Sequence, residues 1–270
     1  MDLNFNSELK SKFSKLISTI KDYGNVCVAF SAGVDSTLLS FIVSNILENN
    51  PLIVTVNSDF LSRNELEESK ELALELGFEH KIIDINVMDN PDIIRNDSSR
   101  CKYCKYTIMS NVIEFAKGYG AENILDGSNV DDLGDYRPGF EAAKALGIKS
   151  PFIEANINKE DIRELAKFLN LPNWDKPASA CLASRISYNT AITKDLLEKV
   201  EKAEDFIRNL GYSGFRVRHH DKIARIEFNA ADIENFIKNH RTETDLELRR
   251  LGYANVCVDL KGYRLSGLNK

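Results

Sequence analysis

Residues 26–36 read VCVAFSAGVDS and constrain this chain more than any other stretch. Residues 26–30 form a short unbroken apolar run, which suits a strand buried on both faces of a parallel sheet. Ser31, Ala32, Gly33, Val34, Asp35 and Ser36 follow, small and mostly polar, with one glycine. Beyond them Leu38, Leu39, Phe41, Ile42, Ile46 and Leu47 recur at helical spacing. Strand, tight turn and helix in that order aim free backbone N–H groups at an anion. Small side chains let phosphate oxygens approach the backbone, and Ser31 and Ser36 add hydroxyl donors. The bland alternative is an ordinary strand-to-helix turn.

The 270 residues suffice for one large domain or two modest ones, and 43% are hydrophobic, enough for a packed core. Net charge is -6 and the pI is near 5.4, so the global positive field of a nucleic-acid binder is absent and nucleic acid is not an expected partner. No apolar run approaches the ~20 residues of a membrane-spanning helix. Residues 1–15 are polar with a helical pattern, unlike a signal peptide. Five cysteines, an odd number, argue against a secreted disulfide scaffold and for a reducing cytoplasm.

Leu9, Phe13, Leu16, Ile17 and Ile20 predict an amphipathic helix ahead of the first strand. Residues 52–56 read as a second strand, Ser62 to Glu65 as a capping box opening a helix that Gly77 ends, and 81–85 as a third strand. Strands separated by such helices predict a parallel α/β sheet, whose ligands collect at the carboxyl ends of the strands. Ser58 after the second strand and Gly127 after a strand at 124–126 join the candidate nucleotide site on that ground. Asp131, Asp132, Asp135, Tyr136 and Arg137 follow in a polar loop, and Asn158 caps a helix with the face Ile162, Leu165, Ala166 and Leu169. From about residue 193 the pattern changes to a helix, two alternating strands (215–219 and 223–228), short helices and a last strand at 254–260. The expected architecture is therefore a parallel-sheet α/β domain over 1–188 with a smaller C-terminal α+β domain over 189–270.

Cys101 and Cys104 form a Cys-x-x-Cys pair at a helix start, a position that favours thiolates. One pair cannot close a tetrahedral zinc site, and none of the histidines, His80, His219, His220 and His240, is nearby in sequence. Cys181 is the candidate third ligand, and three thiolates suit an iron–sulfur cluster with one open iron. A redox disulfide or a partial zinc site remains open for the pair. Cys27 and Cys257 each sit in Val-Cys-Val, where a buried inert thiol is expected. Arg216 and Arg218 alternate on a strand and share a face about 7 Å apart. They read either as a phosphate or carboxylate clamp or as a strand face paired with Glu. Trp174 reads as a packing residue.

The Ser-x-Gly-Val-Asp-Ser stretch lacks the Gly-Lys-Ser/Thr of a Walker loop and resembles the PP-loop of ATP pyrophosphatases. Those enzymes split ATP between the α and β phosphates and adenylylate a substrate oxygen. Ala32 stands where that motif usually has glycine. With Arg-Cys-x-x-Cys-Lys at 100–105, Asp-Gly-Ser-Asn-x-Asp-Asp at 126–132, Asp-Tyr-Arg-Pro-Gly at 135–139, Trp-x-Lys-Pro-Ala-x-Ala-Cys-Leu-Ala-Ser-Arg at 174–185 and Arg-Val-Arg at 216–218, nearly the whole chain resembles the LarE family of sulfur transferases. Asn189 departs from the glycine expected there.

The resemblance implies ATP, Mg2+ and a pyridinium-3,5-biscarboxylic acid mononucleotide substrate, one carboxylate of which becomes a thiocarboxylate in nickel-pincer cofactor synthesis. It implies Asp35, Ser36 and Cys181 as catalytic residues, and Arg216 and Arg218 on the substrate phosphate. In one branch of the family the cysteine matching Cys181 gives up its own sulfur. In the other it joins a Cys-x-x-Cys pair to hold a 4Fe–4S cluster, and Cys101 and Cys104 imply that branch. Sulfide or a sulfur-delivery protein would supply the sulfur, and a homo-oligomer, a hexamer, is implied. A tRNA-thiolating enzyme would need a broad basic surface, and an NAD synthetase would have no use for the three cysteines. The non-enzymatic alternative is a nucleotide sensor with a structural metal.

Overall fold

Side chains alternate across the first strand: Val26, Val28 and Phe30 join one hydrophobic layer, while Cys27 joins another on the opposite face. A computed structural model describes residues 6–48, 50–134, 138–177 and 179–263. Asp135, Tyr136, Arg137 and Ala178 lie outside the described residues.

The chain runs α1 (Ser7–Asp22), β1 (Val26–Ala29), α2 (Val34–Ile46), β2 (Leu52–Asn57), α3 (Arg63–Glu75) and β3 (His80–Asp84). A single turn, α4 (Pro91–Ile94), precedes α5 (Arg100–Lys117), β4 (Asn123–Leu125), α6 (Pro138–Ala145), α7 (Pro151–Glu154) and α8 (Lys159–Phe168). Then come α9 (Lys194–Asn209), β5 (Arg216–His220), β6 (Ile223–Glu227), α10 (Ile233–Asn239), α11 (Arg241–Arg250) and β7 (Asn255–Val258). The chain divides into two compact units, one of Met1–Val87 with Cys101–Ala178 and the other of Met88–Arg100 with Ser179–Lys270.

In the first unit β3, β2, β1 and β4 pair in that order, all parallel. Helices cover both faces. Leu9, Leu16 and Ile20 of α1, Leu38 and Leu39 of α2, and Ile162 and Leu165 of α8 pack with Val28 and Ile53. Met109, Val112 and Ala116 of α5 pack with Cys27, Leu52, Val54 and Ile124 on the other side. Local chemistry sets the helix starts. Ser62 accepts the Glu65 N–H at 3.2 Å, and its own hydroxyl donates to the Glu65 carboxylate at 3.0 Å. Asn158 and Asp161 make the full reciprocal box at α8. Each such cap is worth about 1 kcal/mol. Gly77, at φ 72°, takes the left-handed turn that ends α3.

In the second unit β5 and β6 pair antiparallel and β6 and β7 parallel. Val217, Ala224 and Ile226 pack with Ala203, Ile207, Phe236 and Leu248 from α9, α10 and α11. Val256 and Val258 turn towards that core, so Cys257 between them is exposed, contrary to the expectation of a buried thiol. Cys27, in the same Val-Cys-Val context but on a central strand, is buried, and burial pushes its thiol up to about 12. The expected boundary after residue 188 falls inside this unit, because Ile186 bridges to His219 and Arg185 pairs with Glu204. Residues 88–100 belong here too: Ile192 donates its N–H to Ile94 and Asn189 to Asn96. Among the described residues no helix is long and apolar enough to cross a membrane.

Candidate functional site

The turn between β1 and α2 opens onto a cleft of about 320 Å³ in the first unit. Ser31, Asp35, Ser36, Thr55, Lys105, Asp126, Gly127 and Asp132 are among its lining residues. Gly33 is the N-cap of α2, and no side chain caps that helix, which leaves its first-turn N–H groups to the turn itself and to a ligand. Ser36 Oγ receives the Ser31 N–H at 3.2 Å and donates to the Gly33 carbonyl at 3.1 Å, closing the loop on itself. Ala32 is buried at φ 53°, in the left-handed region that favours glycine. A residue with a Cβ costs about 1–2 kcal/mol in that conformation. Val34 is buried in the core and Ser36 nearly so, which places both as supports of the loop.

Charged side chains line the cleft beside this loop. Asp35 accepts a hydrogen bond from Lys159 Nζ at 2.5 Å. Burial raises the Asp35 pKa above the usual carboxylate range, and the Lys159 ammonium works against that rise. Asp126, at the end of β4, is buried and accepts from the Ser150 hydroxyl at 2.8 Å and the Ser128 N–H at 3.2 Å. Lys105 stands 3.4 Å from the other Asp126 oxygen. Gly127 is required by space: a Cβ there would lie 3.0 Å from the Asp35 Cβ and from the Ser36 nitrogen. Ser58 stands just past β2, accepts the Phe60 N–H at 3.4 Å and is not among the residues lining the cleft. Trp174 packs against the core, as expected, with Lys167 over its ring at 4.8 Å. Lys159 escaped the sequence reading, and Lys105 was read only as the end of the Arg-Cys-x-x-Cys-Lys motif, since neither lies next to the loop in the chain.

Cys101 and Cys104 occupy the first turn of α5, three residues apart and so on one side of the helix. Cys101 is exposed, Cys104 half-buried, and neither is in a disulfide.

In the second unit Cys181 is exposed at the N-cap of a short 3-10 turn, Leu182–Arg185. Arg185 Nη1 donates to the carbonyls of Ala180 and Cys181, and so fixes the backbone that carries the thiol. Its guanidinium also meets the buried Glu204 carboxylate at 2.9 and 3.2 Å. Glu204 in turn accepts the Val217 N–H at 3.0 Å. Arg218 is 4% exposed; its guanidinium donates to Glu227 and, at 3.0 Å, to the Ser184 carbonyl. Glu227 also accepts from Arg225 at 2.9 Å. Arg216 is less enclosed, with its guanidinium over the Tyr263 ring at 4.8 Å. The two arginines share a strand face but not a surrounding. Asn96, fully buried at φ 58°, donates to the carbonyls of Ser187 and Thr190 at 2.9 Å. Arg100 joins Asn96 Oδ1 to the Ala183 carbonyl. Arg100 of the Arg-Cys-x-x-Cys-Lys motif is thus a support of the segment after Cys181. Among the described residues no three His, Cys, Asp or Glu side chains are gathered as a metal site.

The parallel sheet with its serine-bearing turn at the carboxyl end of β1 defines an α/β protein of the PP-loop fold class. No family model matches the chain. It is 36% identical over 97% of its length, and 98% of the relative's, to the uncharacterized protein slr1717 of Synechocystis. It is 35% identical over 97% of its length, and 95% of the relative's, to pyridinium-3,5-bisthiocarboxylic acid mononucleotide synthase of Lactiplantibacillus plantarum. A more distant similarity, 28% over 72% of the chain and 69% of the relative, is to a component of the glutamine-hydrolysing GMP synthase of Thermoplasma volcanium. The chain belongs to the family of the Lactiplantibacillus synthase, the LarE family.

Proposed function

We propose that this protein is an ATP-dependent sulfur transferase that converts a carboxylate of pyridinium-3,5-biscarboxylic acid mononucleotide to a thiocarboxylate. The observation that carries the reading is the uncapped start of α2 beside a cleft that gathers Ser31, Asp35, Lys105 and Asp126 among largely apolar walls, in a chain similar over nearly its whole length to the synthase named above. The α2 amides and the Ser31 hydroxyl hold the ATP phosphates, with Lys105 beside them, and Ser36 braces the loop through the Gly33 carbonyl. A substrate carboxylate oxygen attacks the α-phosphorus, pyrophosphate leaves, and an acyl adenylate forms. A sulfur nucleophile then attacks the acyl carbon, and AMP leaves with the adenylate oxygen. Arg216 binds the substrate phosphate, and Arg218 orients the strand and the Ser184 carbonyl beside it.

Mg2+ fits the donor chemistry of the cleft, because it keeps several waters and needs only one or two carboxylates beside the phosphates. Asp35, Asp126 and Asp132 supply those carboxylates. The thiols of Cys101, Cys104 and Cys181 are outside disulfides and at least partly accessible, a soft donor set suited to a 4Fe–4S cluster. When bound, such a cluster supplies sulfur from outside the polypeptide, so that Cys181 is retained. The protein is expected to work in the cytoplasm as a homo-oligomer, with sulfide or a sulfur-delivery protein as donor. The test is anaerobic incubation with ATP, Mg2+, substrate and sulfide. Stoichiometric AMP, pyrophosphate and thiocarboxylate are expected, and absence of substrate-dependent AMP would overturn the reading.

A further inference from the structure

The left-handed turn at Ala32 is held by two side chains from far along the sequence. The Ala32 carbonyl accepts from Asn173 Nδ2 at 3.1 Å and from Lys176 Nζ at 3.2 Å. Neither residue lines the cleft. The Asn173 amide also donates to Thr37 Oγ1 at 2.9 Å, in the first turns of α2. Lys176 also meets Glu68 of α3 at 2.8 Å. All five residues belong to the first unit. The peptide joining residues 32 and 33 carries the Ala32 carbonyl at one end and the Gly33 N–H at the other. Because the peptide is planar, fixing the carbonyl fixes the direction of that N–H. A glycine at 32 would accept φ 53° without help, whereas alanine resists it.

We propose that Asn173 and Lys176 are positioning residues that hold the nucleotide loop in its anion-receiving conformation, at a position where alanine takes a backbone conformation that favours glycine. The proposal rests on the reading of this loop as the ATP site. Without the two donors the alanine relaxes out of the left-handed region, and only a fraction of molecules present the loop correctly. Apparent affinity falls by that fraction.

The experiment measures binding of a non-hydrolysable ATP analogue with Mg2+ to the full-length protein by calorimetry, alongside hydrogen exchange of the loop peptide without nucleotide. Lys176→Met and Asn173→Ala are each expected to weaken analogue binding about tenfold, equivalent to about 1.4 kcal/mol. Ala32→Gly in the same chain is expected to recover most of that loss, and Lys176→Arg, which keeps a cationic donor, is expected to lose little. Exchange of residues 31–36 should be faster in Lys176→Met than in wild type. Wild-type affinity in both variants, or a loss that Ala32→Gly does not relieve, would overturn the positioning role. If wild type binds no analogue, the ATP reading falls. The exchange comparison then decides the loop-holding role by itself, and unchanged protection overturns it.

Discussion

The Asp35 carboxylate and the Lys159 ammonium meet at 2.5 Å, tying the first turn of α2 to the first turn of α8. Asp35 sits beside the loop that the nucleotide would occupy, and burial works to protonate it while Lys159 opposes that. Lys159→Met should therefore raise the Asp35 pKa further. If ionised Asp35 serves the reaction, the acid limb of the pyrophosphate-release profile moves to higher pH. Loss of one charge-assisted hydrogen bond is worth about 1.5–3 kcal/mol, or roughly 10- to 150-fold in rate. An unmoved profile would remove Asp35 from the chemistry.

Gly127→Ala tests the closeness of β4's end to α2. The added Cβ would meet the Asp35 Cβ and the Ser36 nitrogen at 3.0 Å, both on a helix that cannot yield cheaply. Overpacking of this kind costs about 1–3 kcal/mol. Chemical denaturation should show that loss, together with weaker ATP-analogue binding; wild-type values of both would mean the loop has room to spare.

Iron content after anaerobic purification tests the proposed role of the cysteines. Cys101→Ala, Cys104→Ala and Cys181→Ala are each expected to lose iron and sulfur transfer after anaerobic purification, with adenylylation still measurable. Cys257→Ser, at an exposed thiol on β7, should keep its iron. Mass spectrometry after turnover decides the rival: dehydroalanine at 181, with Cys101 and Cys104 dispensable, would make Cys181 a consumed sulfur donor.

Arg216 and Arg218 should respond differently. Arg218→Ala leaves the buried Glu227 short of a partner, a loss of about 3 kcal/mol in stability. Arg216→Ala should leave stability nearly intact and weaken substrate binding roughly 10- to 150-fold, with ATP affinity unchanged. Equal substrate affinity in Arg216→Ala and wild type would return that residue to a strand face stacked on Tyr263.

Two adjacent imidazoles give the second unit a pH dependence. Burial lowers the pKa of both His219 and His220, helped at His219 by Lys199 and at His220 by Arg225. Folded protein therefore protonates these rings less readily than the unfolded chain, which takes up protons below about pH 6.5. Stability should fall as pH falls through that value. The melting temperature of His220→Asn should fall less steeply than that of wild type; parallel curves would place the titration elsewhere.

What was legible in the sequence was periodic or local. The apolar run of β1, the amphipathic faces of α1 and α8 and the cap at Asn158 all rest on neighbours within a few residues. The contacts of Lys159, Asn173 and Lys176 were not legible, although Lys176 stood in a motif, because their partners in the loop lie more than a hundred residues away. The membership of residues 88–100 was hidden for the same reason, since Asn96 acts through carbonyls at 187 and 190. Cys257 misled because Val-Cys-Val reads alike on a central strand and on a strand with one open face.

That discontinuous second unit bears on how the chain is made. Residues 88–100 leave the ribosome roughly 80 residues before the stretch that begins at 179. At about 5–20 residues per second that is a wait on the order of ten seconds. Throughout it Asn96 and Arg100 have none of the carbonyls of Ala183, Ser187 and Thr190 to bond. Water must serve those groups until translation catches up, so residues 88–100 cannot settle ahead of the C-terminal third. A gene divided between codons 178 and 179 would put Asn96 and Arg100 on a different polypeptide from those carbonyls, and neither product would carry the second unit whole.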